Sequence, residues 1–173
     1  MKVKYSLRPS EPARGRGGAL LASYSGSYLH TLDAKGRVSI PSEMRKASGD
    51  VFVLTRGFEE CLNLYPVDEW ELVEKELRAL RSTSKQARYY VRQMMRTVRR
   101  VVVDGHGRVT IPQWHREFAG LEGEALVNGV LEHIEIWNPT RYENYSEGYD
   151  ESYEDVAETV WKHAKGEPGA SEE

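Results

Sequence analysis

An aspartate stands three residues before a glycine and four before an arginine at two places in this chain: Asp33, Gly36 and Arg37, then Asp104, Gly107 and Arg108. Such a set suits recognition rather than bond-making. A guanidinium after a turn glycine presents a fork of donors that matches guanine O6 and N7, and the glycine lets the backbone come close to a partner. An aspartate at a turn accepts bonds from amides two residues on. Lys35, next to the first glycine, adds a cation suited to phosphate; its counterpart in the second set is His106. One arginine–base contact discriminates by only ~1–3 kcal/mol, so a single tip would specify little. The same residues also suit a plainer role, a tight hairpin whose arginine pairs with its own aspartate. Spacing alone leaves both readings open.

Catalytic alternatives fit poorly. His30, His106, His115, His133 and His163 form no His-x-x-x-His pattern, and Cys61 is the one cysteine, so zinc-ligand spacing is missing. Cys61 lies in an alternating apolar stretch and reads as a core residue. Asp104-Gly105-His106 has no placed serine to complete a triad, and no Gly-Lys-Ser/Thr phosphate loop occurs. No enzyme activity, cofactor or metal is expected.

The two sets belong to a longer repeat. Residues 31–45 (TLDAKGRVSIPSEMR) and 102–116 (VVDGHGRVTIPQWHR) share seven identities at an offset of 71, the last being Arg45 with Arg116. This marks a duplicated small unit. Alternation predicts a strand over 24–31, a turn at 33–36, a strand over 37–40 and, after Pro41, a short helix over 42–47. Strands over 51–54 and 61–65 follow. The second unit repeats the order, with strands over 101–103 and 108–111, a helix over 112–119, and strands over 125–127 and 134–137 about a turn near Asn128-Gly129. Each half alone would leave an apolar face and strand edges exposed, so the expected solution is two units interdigitating into one small closed barrel with a common core.

Two helices should link the units. Trp70, Val73, Leu77 and Leu80 recur at helical spacing in an acidic segment. After a cap region at 82–84, residues 85–100 place Ala87, Tyr90, Val91, Met94, Met95 and Val98 on an apolar face, and Lys85, Arg88, Arg92, Arg96 and Arg99 or Arg100 on a basic one. That basic face reads as a solvated surface or partner for the acidic helix at 68–76, or else as a second phosphate-binding or subunit-contact surface. Arg45 and Arg116 either line a DNA surface or tie the short helices to a neighbour, with the structural role favoured.

At 173 residues the chain suits one domain or two small repeats sharing a core, and its longest apolar run, 19–22, is too short for a membrane span. Net charge is −3, but unevenly spread: from Glu143 onward ten acids face two lysines, leaving 17 acids and 22 bases before it. A mildly basic body thus carries an acidic tail. Residues 1–23 read as a flexible basic arm without the apolar core of a signal peptide. A weak helix is expected at 154–164, with disorder after it. The full division is 1–23 arm, 24–80 first repeat with its trailing helix, 81–100 linker helix, 101–145 second repeat and 146–173 acidic tail.

The phrase Asp-x-x-Gly-Arg-Val-x-Ile-Pro-x-x-x-Arg resembles the SpoVT/AbrB-like swapped-hairpin DNA-binding module. Two copies, with Gly26-Ser27-Tyr28-Leu29-His30-Thr31-Leu32-Asp33 entering the first, Leu54-Thr55-Arg56-Gly57, Leu64-Tyr65-Pro66 before Trp70, and Glu135-Ile136-Trp137-Asn138-Pro139, resemble the MraZ family over residues 24–145. The resemblance implies an α+β fold in which duplicated swapped-hairpin units form one pseudo-twofold β-barrel with short helices and a linker helix pair. It implies a cytoplasmic, nucleoid-associated transcription regulator of the division and cell-wall gene cluster, acting as a homo-oligomeric ring on repeated G-rich promoter boxes in double-stranded DNA. Asp33, Lys35, Gly36, Arg37, Asp104, Gly107 and Arg108 would form the DNA-binding set, with Arg45, Arg116, Arg88, Arg92 and Arg96 as additional DNA or subunit contacts. The chain departs from the family in its N-terminal arm, in His106 where the first motif has Lys35, and in a long acidic tail. An antitoxin-like module whose tail binds a protein partner is the alternative; an oligomeric scaffold without DNA binding is a third.

Overall fold

A computed structural model describes residues 23–46, 49–80 and 84–165, which fall into two units divided after Pro139. The expected N-terminal arm, apart from its last residue, and the end of the acidic tail lie outside the described residues.

In the first unit, β1 (Ser27–Thr31), β2 (Arg37–Ser39), α1 (Ser42–Lys46), β3 (Val51–Arg56) and β4 (Leu62–Pro66) make up the first half. Helices α2 (Val67–Leu80) and α3 (Lys85–Met95) follow. The second half repeats the order as β5 (Arg99–Val102), β6 (Arg108–Thr110), α4 (Gln113–Ala119), β7 (Glu124–Val130) and β8 (His133–Trp137). Six strands form an antiparallel sheet in the order β1-β7-β8-β4-β3-β5, and β2 pairs with β6 as a separate ribbon. The mixed α+β class is as expected from the sequence.

The pairing is reciprocal between the halves. Val38 lies opposite Val109, its own counterpart in the repeat, with Arg37 opposite Thr110 and Ser39 opposite Arg108. Ile40 N–H donates to Gly107 O at 2.9 Å, and Ile111 N–H to Gly36 O at 2.8 Å. In the middle of the large sheet Leu62 faces Ile136 and Leu64 faces Ile134. Each half therefore supplies the other's neighbouring strands, and neither completes the sheet alone.

Alternation decides what is buried. Val38, Ile40, Val109 and Ile111 from the ribbon join Phe52, Leu54, Leu64, Val127, Ile134 and Ile136 from the sheet in one core. At ~25 cal/mol per Å² of apolar surface removed from water, this shared core is the main stabilising term. Val53, with the opposite parity on β3, packs outward with Trp70 and Leu77 of α2 and Val91 and Met94 of α3 in a second cluster.

Three expectations need correction. Among the described residues the strands do not close into a barrel: β1 and β5 end the six-stranded sheet, and β2 and β6 pair apart from it. Asn128-Gly129 is not a turn but part of β7. Asn128 accepts a 2.6 Å bond from Ser27 Oγ, and Gly129 is where a side chain would collide with the backbone of Tyr24 and Ser25. The reversal falls instead on Leu131 and Glu132, with Leu131 at φ 53°. Finally, the helix expected over 85–100 stops at Met95 with Arg96 as its C-cap; Thr97 Oγ1 then donates to Met94 O at 2.7 Å, and Arg99 already begins β5.

The second unit holds most of α5 (Pro139–Glu147) and α6 (Tyr153–Ala164), the latter capped by Ser152, whose Oγ accepts from Asp155 N–H at 3.2 Å. Val160 and Trp161 of α6 are exposed. No helix among the described residues is long and apolar enough to cross a membrane.

Candidate nucleic-acid interface

The two turns that carry the Asp-x-x-Gly-Arg sets are built alike. Asp33 Oδ1 accepts from the N–H groups of Lys35 and Arg37, both at 2.9 Å, and Asp104 Oδ1 accepts from His106 at 2.9 Å and Arg108 at 3.0 Å. Gly36 and Gly107 close the turns at φ 74° and 79°, a left-handed conformation that costs an ordinary residue ~1–2 kcal/mol. Aspartate therefore sets the turn and glycine tolerates it, as the sequence suggests.

The other carboxylate oxygen of each aspartate holds an arginine. Arg37 donates from Nε to Asp33 Oδ2 at 2.7 Å, with Nη2 also at 2.7 Å; Arg108 donates from Nε to Asp104 Oδ2 at 3.0 Å, with Nη2 at 2.9 Å. These bonds, foremost the arginine side chain's, pull both carboxyls down from 3.8 to about 2. The plainer hairpin geometry is thus present. It does not use up the arginines: a guanidinium has five N–H donors, and Nη1 of each is left outside the pair.

Because β2 pairs with β6, the two tips are neighbours rather than separate probes. Arg37 Nη1 stands 4.0 Å from Asp104, and Arg108 Nη1 stands 3.9 Å from Asp33. The four charged side chains are roughly a quarter to a third exposed, so their pairing organises geometry more than it stabilises the fold. Lys35 and His106 are exposed at the turns.

Arg45 and Arg116 join this cluster from the opposite half. A Cβ built on Gly107 would stand 2.7 Å from Arg45 Cζ, and one built on Gly36 would collide with the Arg116 guanidinium. Arg45 is steadied by an Nε bond to Ile40 O at 3.0 Å. Among the described residues neither is ion-paired, so five cations, with Lys35, Arg37 and Arg108, surround two carboxylates. These cross-half seats were beyond the sequence reading, although the offset of 71 and the reciprocal register are what produce them.

Arg88, Arg92 and Arg96 are not brought into the cluster. They are exposed in and just after α3, which packs on α2 and β3, and none forms an ion pair with an acid of α2 among the described residues. Cys61 is buried, and burial pushes its thiol up to about 12, which suits a core residue and not a nucleophile. No group of three or more His, Cys, Asp or Glu side chains among the described residues is placed to hold a metal.

Residues 24–93 and 94–163 each match the family described as "MraZ protein, putative antitoxin-like". A protein named Transcriptional regulator MraZ from Acetivibrio thermocellus is 42% identical over 137 residues, covering 79% of this chain and 96% of that protein. A protein of the same name from Desulfitobacterium hafniense is 39% identical over 137 residues, with the same coverage of 79% and 96%. Another from Halothermothrix orenii is 41% identical over 134 residues, covering 78% of this chain and 94% of its own length.

Proposed function

This chain belongs to the MraZ family, and from that premise we propose that it is a sequence-specific DNA-binding transcriptional regulator, not an enzyme, which reads DNA through its paired arginine tips. The observation that carries the reading is the β2–β6 pairing, which sets Arg37 and Arg108 side by side within a group of five cations and two carboxylates. In this reading Arg37 and Arg108 direct their unused Nη1 donors to guanine edges. Lys35 takes a phosphate, and Asp33 and Asp104 hold the guanidinium planes fixed so that little side-chain freedom is lost on binding. Arg45 and Arg116 support the turn glycines and add positive potential behind the tips.

The finer proposal is a homo-oligomeric ring, cytoplasmic and nucleoid-associated, on repeated G-rich boxes upstream of a division and cell-wall gene cluster. The small tip surface supports it: one pair of arginines specifies few bases, and several copies on repeated boxes supply the remainder through effective concentration. Fluorescence anisotropy on the DNA upstream of the gene's own operon, with scrambled DNA as control, tests this. The expected result is preference for the upstream DNA at physiological salt, with steep weakening as salt rises. Equal affinity for both DNAs would reject sequence-specific reading.

A second reading, an antitoxin-like role in which the acidic tail binds a protein, is favoured by the description of the family as antitoxin-like and by exposed Val160 and Trp161 on α6. Copurification of a small basic partner that is lost on removing residues 146–173 would support it.

A further inference from the structure

Away from the tips, a cleft of about 270 Å³ is lined by Arg96, Thr97, Arg99, Pro112, Trp114 and His115. It lies where the chain passes from α3 into β5 and meets the start of α4. Trp114 is 43% exposed and stacks on Phe118 at 5.4 Å with the rings 8° from parallel, which fixes the indole as a platform. Two arginines share the cleft, each oriented by neutral partners: Arg96 Nη1 donates to Gln93 Oε1 at 3.2 Å, and Arg99 Nη1 to Val98 O at 2.7 Å. Among the described residues neither is ion-paired, so two like charges stand together uncompensated.

His115 is an independent sign of an unfilled role. It is 2% exposed, and its Nε2 lies 2.6 Å from Thr97 O, an acceptor, which makes Nε2 the protonated nitrogen. Nδ1 is then a lone-pair acceptor, and it has no partner although buried. Burial, helped by the Arg99 charge and opposed by the Thr97 bond, pushes this imidazole below its usual value. A buried acceptor without a donor is uncommon in a finished core.

We propose that this cleft binds a nucleoside phosphate, with the base against Trp114 and the phosphate between Arg96 and Arg99, beside the buried His115. Paired guanidinium forks suit phosphate oxygens, and an exposed indole suits the face of any base. The volume lies just under the range of small-molecule pockets and suits a base with its phosphate better than a larger cofactor. The nucleotide comes either free or as part of a nucleic acid; the recognition chemistry is the same. No tip residue is used, so failure here leaves the tip reading untouched, and the reverse holds as well.

The test is tryptophan fluorescence of the full chain titrated with GMP, with guanosine as the phosphate-free control and the upstream duplex as a separate arm. The expected result is saturable quenching by GMP, absent in Trp114→Phe and much weaker with guanosine. Arg96→Ala/Arg99→Ala should raise the apparent Kd about tenfold or more, the scale of losing a charge-assisted contact. If that pair melts abnormally, Arg96→Gln/Arg99→Gln removes the charge at similar length and should show the same loss. Quenching by the duplex but not by GMP, lost in the arginine variants, upholds the site and assigns its nucleotide to DNA. Quenching undiminished in those variants, equal quenching by GMP and guanosine, or none in either arm would overturn the proposal.

Discussion

Asp33 and Asp104 are the residues whose chemistry is most constrained. Each accepts two turn amides on one oxygen and its arginine on the other. Both carboxyls sit at about 2 in the fold, below the 3.8 of the free group. A depressed acid contributes stability that is fully present above the unfolded value and is lost as pH falls through the folded one. The window is therefore from pH ~4 down to pH ~2. Asp33→Asn/Asp104→Asn should be less stable than wild type near pH 7, and the gap should close toward pH 2. Thermal melts across that range check it; a gap that stays constant with pH would mean the carboxylates do not hold the turns. The sequence showed the aspartates, glycines and arginines and their turn, because those roles are local. It did not show Arg45 against Gly107 or Arg116 against Gly36, since those contacts depend on how the two halves cross.

At the level of elements, local signals located most strands and helices, and the failures share a cause. Asn128-Gly129 has turn composition, yet tertiary needs prevailed: β1 pairs with β7, and the chain entering β1 crosses too close for a side chain at 129. The basic face predicted over 85–100 spans two elements, because Thr97 and Val98 interrupt a helical period that Arg99 and Arg100 happen to continue. The start of that helix was legible. Ser84 Oγ accepts from Ala87 N–H at 3.0 Å, so Ser84→Ala should cost ~0.5–2 kcal/mol in urea unfolding without changing the cooperativity slope. A neutral result would place the stability of α3 wholly in its packing through Val91 and Met94.

For the whole molecule, duplication explains more than any single motif. Counterpart strands meet in the β2–β6 ribbon and in the β4–β8 pair, which is why one sheet and one core serve both halves. The repeat in the sequence predicted that sharing, but not the open sheet with its separate ribbon: strand order follows from pairing partners that composition does not encode. The same crossing brings Arg37 and Arg108 together, and we propose that the two tips meet DNA as one surface. It is tested most directly by anisotropy with upstream DNA across a salt series, comparing wild type with Arg37→Ala, Arg108→Ala and the double variant, each verified as folded by its melt. The expected result is a loss of about tenfold or more for the double variant, a shallower salt slope, and single losses whose sum differs from the double if the two tips act as one unit. A double variant that binds as tightly as wild type, with an unchanged slope, would contradict it.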